Sequence, residues 1–313
     1  MMKRIAIASI LTLAGAIPAL ADYPEKPVEI IVGYAAGGGT DVMARTIAQF
    51  LETELGGSVV VKNEPGAGGQ IGFTNTAKAK PDGYTLGTFN LPAAFALTLD
   101  REAGYDTDSF TYLANFVDDP NTVVVAADSP YQTLDDLIAA ATEAPGAITM
   151  GLSSLGGNDH FAAIMLQDDT GTEFTLVPFK GAALARTALM GGHIAVGTMA
   201  LSQTTGFGDE MRVLAVLSDE RSEFAPDVPT AAEQGIDIRM SSLRGIVAPV
   251  GLEPEVQDKL ETALERVNED PEFQEMMKSQ GNPISFLAGQ DYASTAREQA
   301  DVAAAIWNTT PWQ

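Results

Sequence analysis

The chain has no cysteine, so no disulfide stabilises it, and its two histidines alone make a poor zinc site. Lysine and arginine are scarce: 18 stand against 42 acidic residues, for a net charge of −24. That leaves no basic footprint for phosphates and excludes nucleic acid as a partner. No run of about 18 consecutive apolar residues is present beyond the N-terminal leader, so no later membrane span is expected. No cofactor and no metal is expected either. So acidic a surface keeps the protein soluble and monomeric, and anion recognition must be local, because salt screens charge over about 8–10 Å.

Residues 1–21 read as a signal peptide. Lys3 and Arg4 form a basic start, Ile5 to Ile17 an apolar stretch, and Ala19-Leu20-Ala21 a small-residue cleavage site. No cysteine follows, which excludes a lipid anchor. An exported chain beginning near Asp22 keeps 16 basic and 42 acidic residues. Its 292 residues are enough for two lobes that rely on core burial alone.

What the chain does have is glycine at the ends of apolar runs. Val28 to Val32 reads as a buried strand, broken at Gly33. Gly37, Gly38 and Gly39 follow, and a helix opens near Asp41 and runs to Leu55 with Met43, Ile47, Phe50, Leu51 and Leu55 on one face. Thr40 is the expected N-cap. Open N–H groups and a positive dipole end make such a helix start an anion site, and glycine lets the backbone approach without a Cβ. No lysine follows the last glycine, so this is not a Walker phosphate loop. A carboxylate is the expected guest, carried rather than transformed. Tyr34 is either a wall of this site or a core aromatic. Asp41 is expected to orient the loop, cap the helix, or hold a bridging water or a ligand amine. Arg45 is expected to pair with it at i, i+4.

The alternation continues. Ser58 to Lys62 is a strand, Asn63 to Gly69 a second glycine loop, Ile71 to Ala79 a helix, and Tyr84 to Phe89 a strand ending at Asn90-Leu91-Pro92. Strand and helix in turn imply a parallel sheet. Phe110 to Val117 and Thr122 to Ala127 read as two separate strands. Thr133 caps a helix to Glu143, Ala147 to Gly151 is a strand, and Leu152 to Asn158 is a third loop before a helix from His160. Thr175 to Phe179 is a strand, and Lys180-Gly181-Ala182 opens another helix. Ile194 to Met199, Arg212 to Leu217 and Ile246 to Pro249 are strands. The last helix, Asp291 to Trp307, carries Ala293, Ala296, Ala300, Ala303 and Trp307 at helical spacing and is expected on the outside of the first lobe.

The fold class is therefore α/β, with two lobes, a central mostly parallel sheet in each, and a cleft between. Lobe one is expected to comprise residues 22–121 and 240–313, and lobe two residues 122–239, with chain crossings near Asn121 and Arg239 forming a hinge. In lobe two, Ser153, Ser154, Gly156, Gly157 and Asn158 offer hydroxyls, an amide and backbone N–H groups to a second carboxylate. His160 in the first turn is a ligand group or a structural imidazole. Gly181 and Ala182 start a helix on the same side. Arg244 faces a ligand or pairs with lobe-one carboxylates.

Enzyme readings are weaker. Gly151-Leu152-Ser153 suggests a nucleophile elbow, but Leu155 stands where a glycine is needed. Gly66-Ala67-Gly68 with Gly72 departs from a dinucleotide fingerprint. Asp106 and Asp108 alternate like calcium ligands or form a polar turn. A secreted serine hydrolase using Ser153 remains the alternative from another class.

The stretches YPEKPVEIIVGYAAGGGTDVMAR, VVVKNEPGAGGQIG, AKPDGYTLG, GLSSLGGNDHFA, VPFKGAALARTALMGGHI, PDVPTAAEQG and RGIVAPVGLEP resemble, in order, the periplasmic receptors of the tripartite tricarboxylate transporter family, the Bug proteins. The resemblance implies a type II, Venus-flytrap binding-protein fold in the periplasm. It implies a small organic carboxylate held, partly through ordered waters, between the first glycine loop and the Ser-rich loop. It also implies handover to membrane permease subunits; presentation to a sensor kinase is a variant. The family usually has proline where Ala36 stands and Gly-Ser-Ser-Gly where Phe89-Asn90-Leu91-Pro92 stands. Ala36 and Asn90 thus line the expected cleft at positions where this chain is unusual. It also departs at Leu243 and Ala195.

Overall fold

The computed structural model describes residues 23–312; the leader lies outside the described residues. Its first unit runs β1 (Val28–Val32), α1 (Gly39–Leu55), β2 (Val59–Asn63), α2 (Gln70–Ala77), β3 (Thr85–Leu91) and α3 (Ala93–Asp100). Strand β4 (Phe110–Ala126) leads into a second unit: α4 (Leu134–Glu143), β5 (Thr149–Leu152), α5 (Asn158–Thr170), β6 (Thr175–Pro178), α6 (Ala182–Met190), β7 (Val196–Ala200) and β8 (Met211–Val216). The chain returns through β9 (Ser241–Pro249), α7 (Pro254–Glu269), α8 (Pro271–Ser279), β10 (Ile284–Ala288) and α9 (Gly289–Thr309).

Each unit has a parallel half. β1 pairs in parallel with β2 and β3, and β5 with β6 and β7. Antiparallel strands complete both sheets where β4 and β9 enter. The expected strands around Asp118–Asn121 are one strand. β4 pairs with β9 as far as Pro120 opposite Ser241, then with β7 from Asn121 opposite Ala200. The polar run Asp118-Asp119-Pro120-Asn121 looks like a break in sequence. It remains strand because buried Asp119 finds the Ser202 N–H at 3.1 Å and the Arg244 guanidinium at 2.5 Å.

Helix α1 buries Met43, Ile47, Leu51 and Leu55, the expected face, against Val28, Ile30 and Phe116. It stops at left-handed Gly56 (φ 68°), whose N–H returns to Glu52 O. Thr133 caps α4 as expected, in a reciprocal box with Asp136. Helix α3 and strand β10 were not foreseen. Pro92 reads as a terminator, yet it stands at the N-cap of α3, where its missing N–H costs nothing.

The last helix corrects an expectation. Tyr292, Ala293 and Ala296 of α9 pack in the first unit with Phe89 and Tyr112, but Ala303, Ile306 and Trp307, with Trp312, pack in the second core with Phe161. The helix spans both units because its alanines permit close approach along one face while its aromatic end packs with Phe161. Helix α3 does the same, with Phe95 and Leu97 on one side and Ala96 and Leu99 on the other.

Candidate functional site

Helix α1 begins at Gly39 with Gly38 as N-cap, so Thr40 is not the cap but lies buried inside the first turn. Glycine at the N-cap provides no side-chain cap, which leaves the opening amides free of one. The Thr40 hydroxyl instead accepts from Asn90 Nδ2 at 2.7 Å. Val42 N–H makes the first bond into the helix, to Gly38 O at 3.0 Å, so Gly39 and Thr40 present the open amides of the helix start.

Asp41 is buried beneath this loop. Its carboxylate accepts from Gly37 N–H at 2.9 Å, Asn63 Nδ2 at 2.8 Å and Arg45 Nε at 3.1 Å. The expected i, i+4 pair with Arg45 is present, with a second contact at 2.9 Å. Burial alone raises the Asp41 carboxyl, but the Arg45, Gly37 and Asn63 hydrogen bonds outweigh it and hold the group below the usual carboxylate range. Asp41 therefore orients the loop from inside. Gly37 N–H, expected to meet a ligand, is already committed to it. Ala36 and Gly37 stand exposed at the loop tip. Tyr34 is half-buried and meets Phe73 edge-on at 6.1 Å. Burial pushes its hydroxyl pKa up; Arg244 opposes and Asp159 adds to the shift.

The loop after β5 repeats the design. Gly157 caps α5, and buried Asp159 accepts from Ser153 N–H at 3.0 Å and Asn121 Nδ2 at 3.0 Å. Asn158 Nδ2 donates to Asp159 at 2.9 Å and to Asn121 Oδ1 at 2.7 Å. Here burial prevails. It raises the Asp159 carboxyl above its ordinary value despite Ser153, Asn121 and the field of Arg244. Gly181 N–H donates to Ser153 O at 2.9 Å, tying the Ala182 helix start to this loop.

His160 lies behind the loop. Its Nδ1 accepts from Gly156 N–H at 3.0 Å, which places the ring proton on Nε2. The ring is buried, faces Trp312 at 6.0 Å, and burial pushes its pKa down to about 4. Gly156 has φ +71°, and a Cβ there would stand 3.2 Å from Trp312 Nε1. His160 is thus arranged to shape the loop, and with Nδ1 occupied it is not placed as a base for Ser153. His193 is exposed. Asp106 accepts from Asp108 N–H at 3.1 Å and the Ser109 hydroxyl at 2.7 Å, the polar-turn reading of that pair. Among the described residues no cluster of metal-ligating side chains occurs.

The second unit approaches the first at the glycine loop after β2 and at the first turn of α1. A Cβ added to Gly68 would stand 3.9 Å from Ser154 Cβ, and one on Gly39 would stand 2.7 Å from both Arg244 Nη1 and Gln203 Nε2. Arg244 pairs with Asp119, as one of its two expected roles required. Asp119, Asn121, Asp159 and Gln203 are the buried groups behind these loops that sequence reasoning missed. Asp159 had a signal, because Gly38-Gly39-Thr40-Asp41 recurs as Gly156-Gly157-Asn158-Asp159.

Two sheets joined by crossing strands, with a glycine loop over a buried aspartate in each, define a two-lobed solute-binding protein. Residues 43–310 match the model of the tripartite tricarboxylate transporter family receptor, and the chain belongs to that family. A UPF0065 protein of Cupriavidus necator is 32% identical over 88% of this chain and 85% of its own length. BugT of Bordetella pertussis is 36% identical over 79% of this chain and 78% of its own. Among solved structures, the periplasmic binding protein BugD superposes with TM-score 0.84 at 31% identity, covering 92% of this chain and 98% of BugD. An R. palustris protein, Rpa4515, solved with adipate, gives 0.83 at 29%, covering 92% and 97%.

Proposed function

We propose that this protein captures a small organic carboxylate in the periplasm and delivers it to the membrane permease of a tripartite transporter, without transforming it. The observation that carries the reading is the pair of glycine loops, before α1 and before α5, each held in shape by a buried aspartate, with Ser154 and Gln203 of the second unit brought up to Gly68 and Gly39 of the first. The open amides of Gly39 and Thr40 and the polar groups of Ser153, Ser154 and Asn158 are what the two loops offer a ligand. Adipate on a relative of 29% identity supports a carboxylate as guest. Residues 23–121 with 240–302 form one lobe and 122–239 the other, with the end of α9 and Trp312 laid against the second, hinged where β4 changes partner. Tyr34, Ala36, Asn90, Gly181 and Ala182 line the cleft. The ligand shifts the closing equilibrium only by its differential affinity for the two states. The receptor works as a monomer.

A thermal-shift screen against mono-, di- and tricarboxylates tests this, since a bound ligand raises the midpoint by mass action. At least one acid is expected to shift it. No shift with any acid, or turnover of an ester substrate that Ser153→Ala abolishes, would sink the proposal.

A further inference from the structure

We infer that residues 201–205, which follow β7, form a latch that holds the two lobes closed through contacts between protein groups alone. This rests on the hinged two-lobe reading and is independent of which acid is the guest. The segment belongs to the second lobe, yet its partners belong to the first. At the crossing, Ala200 of β7 stands opposite Asn121 of β4. Just beyond, the Ser202 hydroxyl donates to Asp119 at 2.5 Å and accepts from Arg244 Nη1 at 3.4 Å. Gln203 Nε2 packs on Gly39, 2.7 Å from where a Cβ would stand, so no side chain fits between α1 and this segment. Thr205 lies on buried Gly281, between α8 and β10. A Cβ added to Gly281 would stand 2.9 Å from Thr205 Cβ and 3.0 Å from its Cγ2. The same end of α8 brings Lys278 to Glu223 of the second lobe at 2.8 Å, both exposed.

These contacts are on the cleft side. Residues 201–205 leave the carboxyl end of β7, as the ligand loops leave the carboxyl ends of β1 and β5. Gly281 stands at the matching end of the first sheet, since β10 begins at Ile284 opposite Val117 and Asp118 N–H donates to Pro283 O at 3.3 Å. Ser202 is tied to Asp119 of the crossing strand itself and stays near the hinge axis. Thr205 and Glu223 touch residues outside the crossing strands, so they part from them when the cleft opens. Contacts present in one state and absent from the other bias the closing equilibrium and strengthen any guest that needs closure. Gly281 ends α8 with left-handed backbone (φ +72°), which by itself favours glycine. Asparagine also tolerates that backbone, but it brings a Cβ into the seat of Thr205.

Pulsed electron paramagnetic resonance between spin labels on Ile71→Cys and Leu184→Cys reads closure. Both residues are exposed, one in each lobe, in helices that follow the carboxyl ends of β2 and β6, and the chain has no cysteine of its own. In protein dialysed free of small molecules, a short, closed distance is expected beside a longer, open one. The closed fraction should fall at least about threefold in Gly281→Asn and return when Thr205→Gly is added. Lys278→Glu should lower it less, and adding Glu223→Lys should restore it. Should Gly281→Asn fail to fold, that exposed charge exchange decides. A single open distance in the unaltered chain overturns the latch. So does a closed fraction that no variant changes, or a loss from Gly281→Asn that Thr205→Gly leaves in place. Failure of every acid in the thermal-shift screen overturns the carboxylate reading and leaves these distances as a separate measurement of the latch.

Discussion

The loop before α1 and the loop before α5 do the same job with different partners. Each follows a parallel strand, each has a glycine N-cap, and each is folded over a buried aspartate that holds a loop amide. In the first, Asp41 is served locally, by Arg45 one turn on and by Asn63 at the end of the neighbouring strand. In the second, Asp159 has no cation in contact among the described residues. It depends on Asn121, at the point where β4 changes sheets, and its loop is backed by Trp312 near the end of the chain. One loop is self-contained; the other is coupled to the crossing strand and to the C-terminal segment. A ligand that orders the second loop therefore acts on the same residues that join the two units.

The sharpest test of that difference is Trp312→Ala. Trp312 is 5% exposed and packs on Phe161 at 5.0 Å and Trp307 at 4.7 Å. Removing it should cost about 3 kcal/mol or more in urea unfolding. Tyr34→Phe, behind the first loop, should cost under about 0.5 kcal/mol; equal losses would erase the asymmetry.

Acid should also find the second loop first. His160 is neutral in the fold down to about pH 4, while an unfolded histidine binds its proton near 6.5. The unfolded chain thus holds more protons between these values, and stability should fall by up to about 3 kcal/mol as pH drops from 6.5 to 4. Asp159 acts in the opposite sense. Its folded carboxyl binds a proton at higher pH than the unfolded one, so protonating it offsets part of the loss. His160→Asn, whose carbonyl can still accept from Gly156, should flatten the melting-temperature profile over that range; an unchanged profile would remove His160 as its source.

Smaller effects divide along the same line. Asn121→Ala leaves the Asp159 carboxylate short of a donor in a buried setting and should cost about 2 kcal/mol. Asn63→Ala leaves Asp41 with Arg45 still in place and should cost about 1 kcal/mol in the same urea series. Arg45 is half-exposed, at 50%, so Arg45→Gln should cost under about 1 kcal/mol. A larger loss for Arg45 than for Asn121 would reverse the comparison.

Much of this was legible before any coordinates. The buried face of α1, the Thr133 box, the Asp41–Arg45 pair and the three loops follow from spacing within one or two turns, where helix geometry leaves little choice. Misreadings occurred where a local signal was overruled from a distance. Thr40 looks like a cap, but Asn90 takes its hydroxyl and Gly38 caps instead. Asp118-Asp119-Pro120-Asn121 looks like a turn, but Arg244 and Ser202 keep Asp119 in a strand. The last helix, by its alanine face, looks like a cover for one lobe. It lies over both because Ala303, Trp307 and Trp312 pack with Phe161 in the second core.

The sequence by itself determined the elements, the acidic and disulfide-free character, and the glycine loops at strand ends, because those depend on composition and on neighbours a few residues apart. Tertiary structure decided which groups meet. Arg244 reaches Asp119 across 125 residues, Asn121 reaches Asp159 across 38, and Gln203 faces Gly39 from the other unit. Such meetings are set by the register of β9 on β4 and by where β4 changes sheets, and no local pattern of residues encodes either.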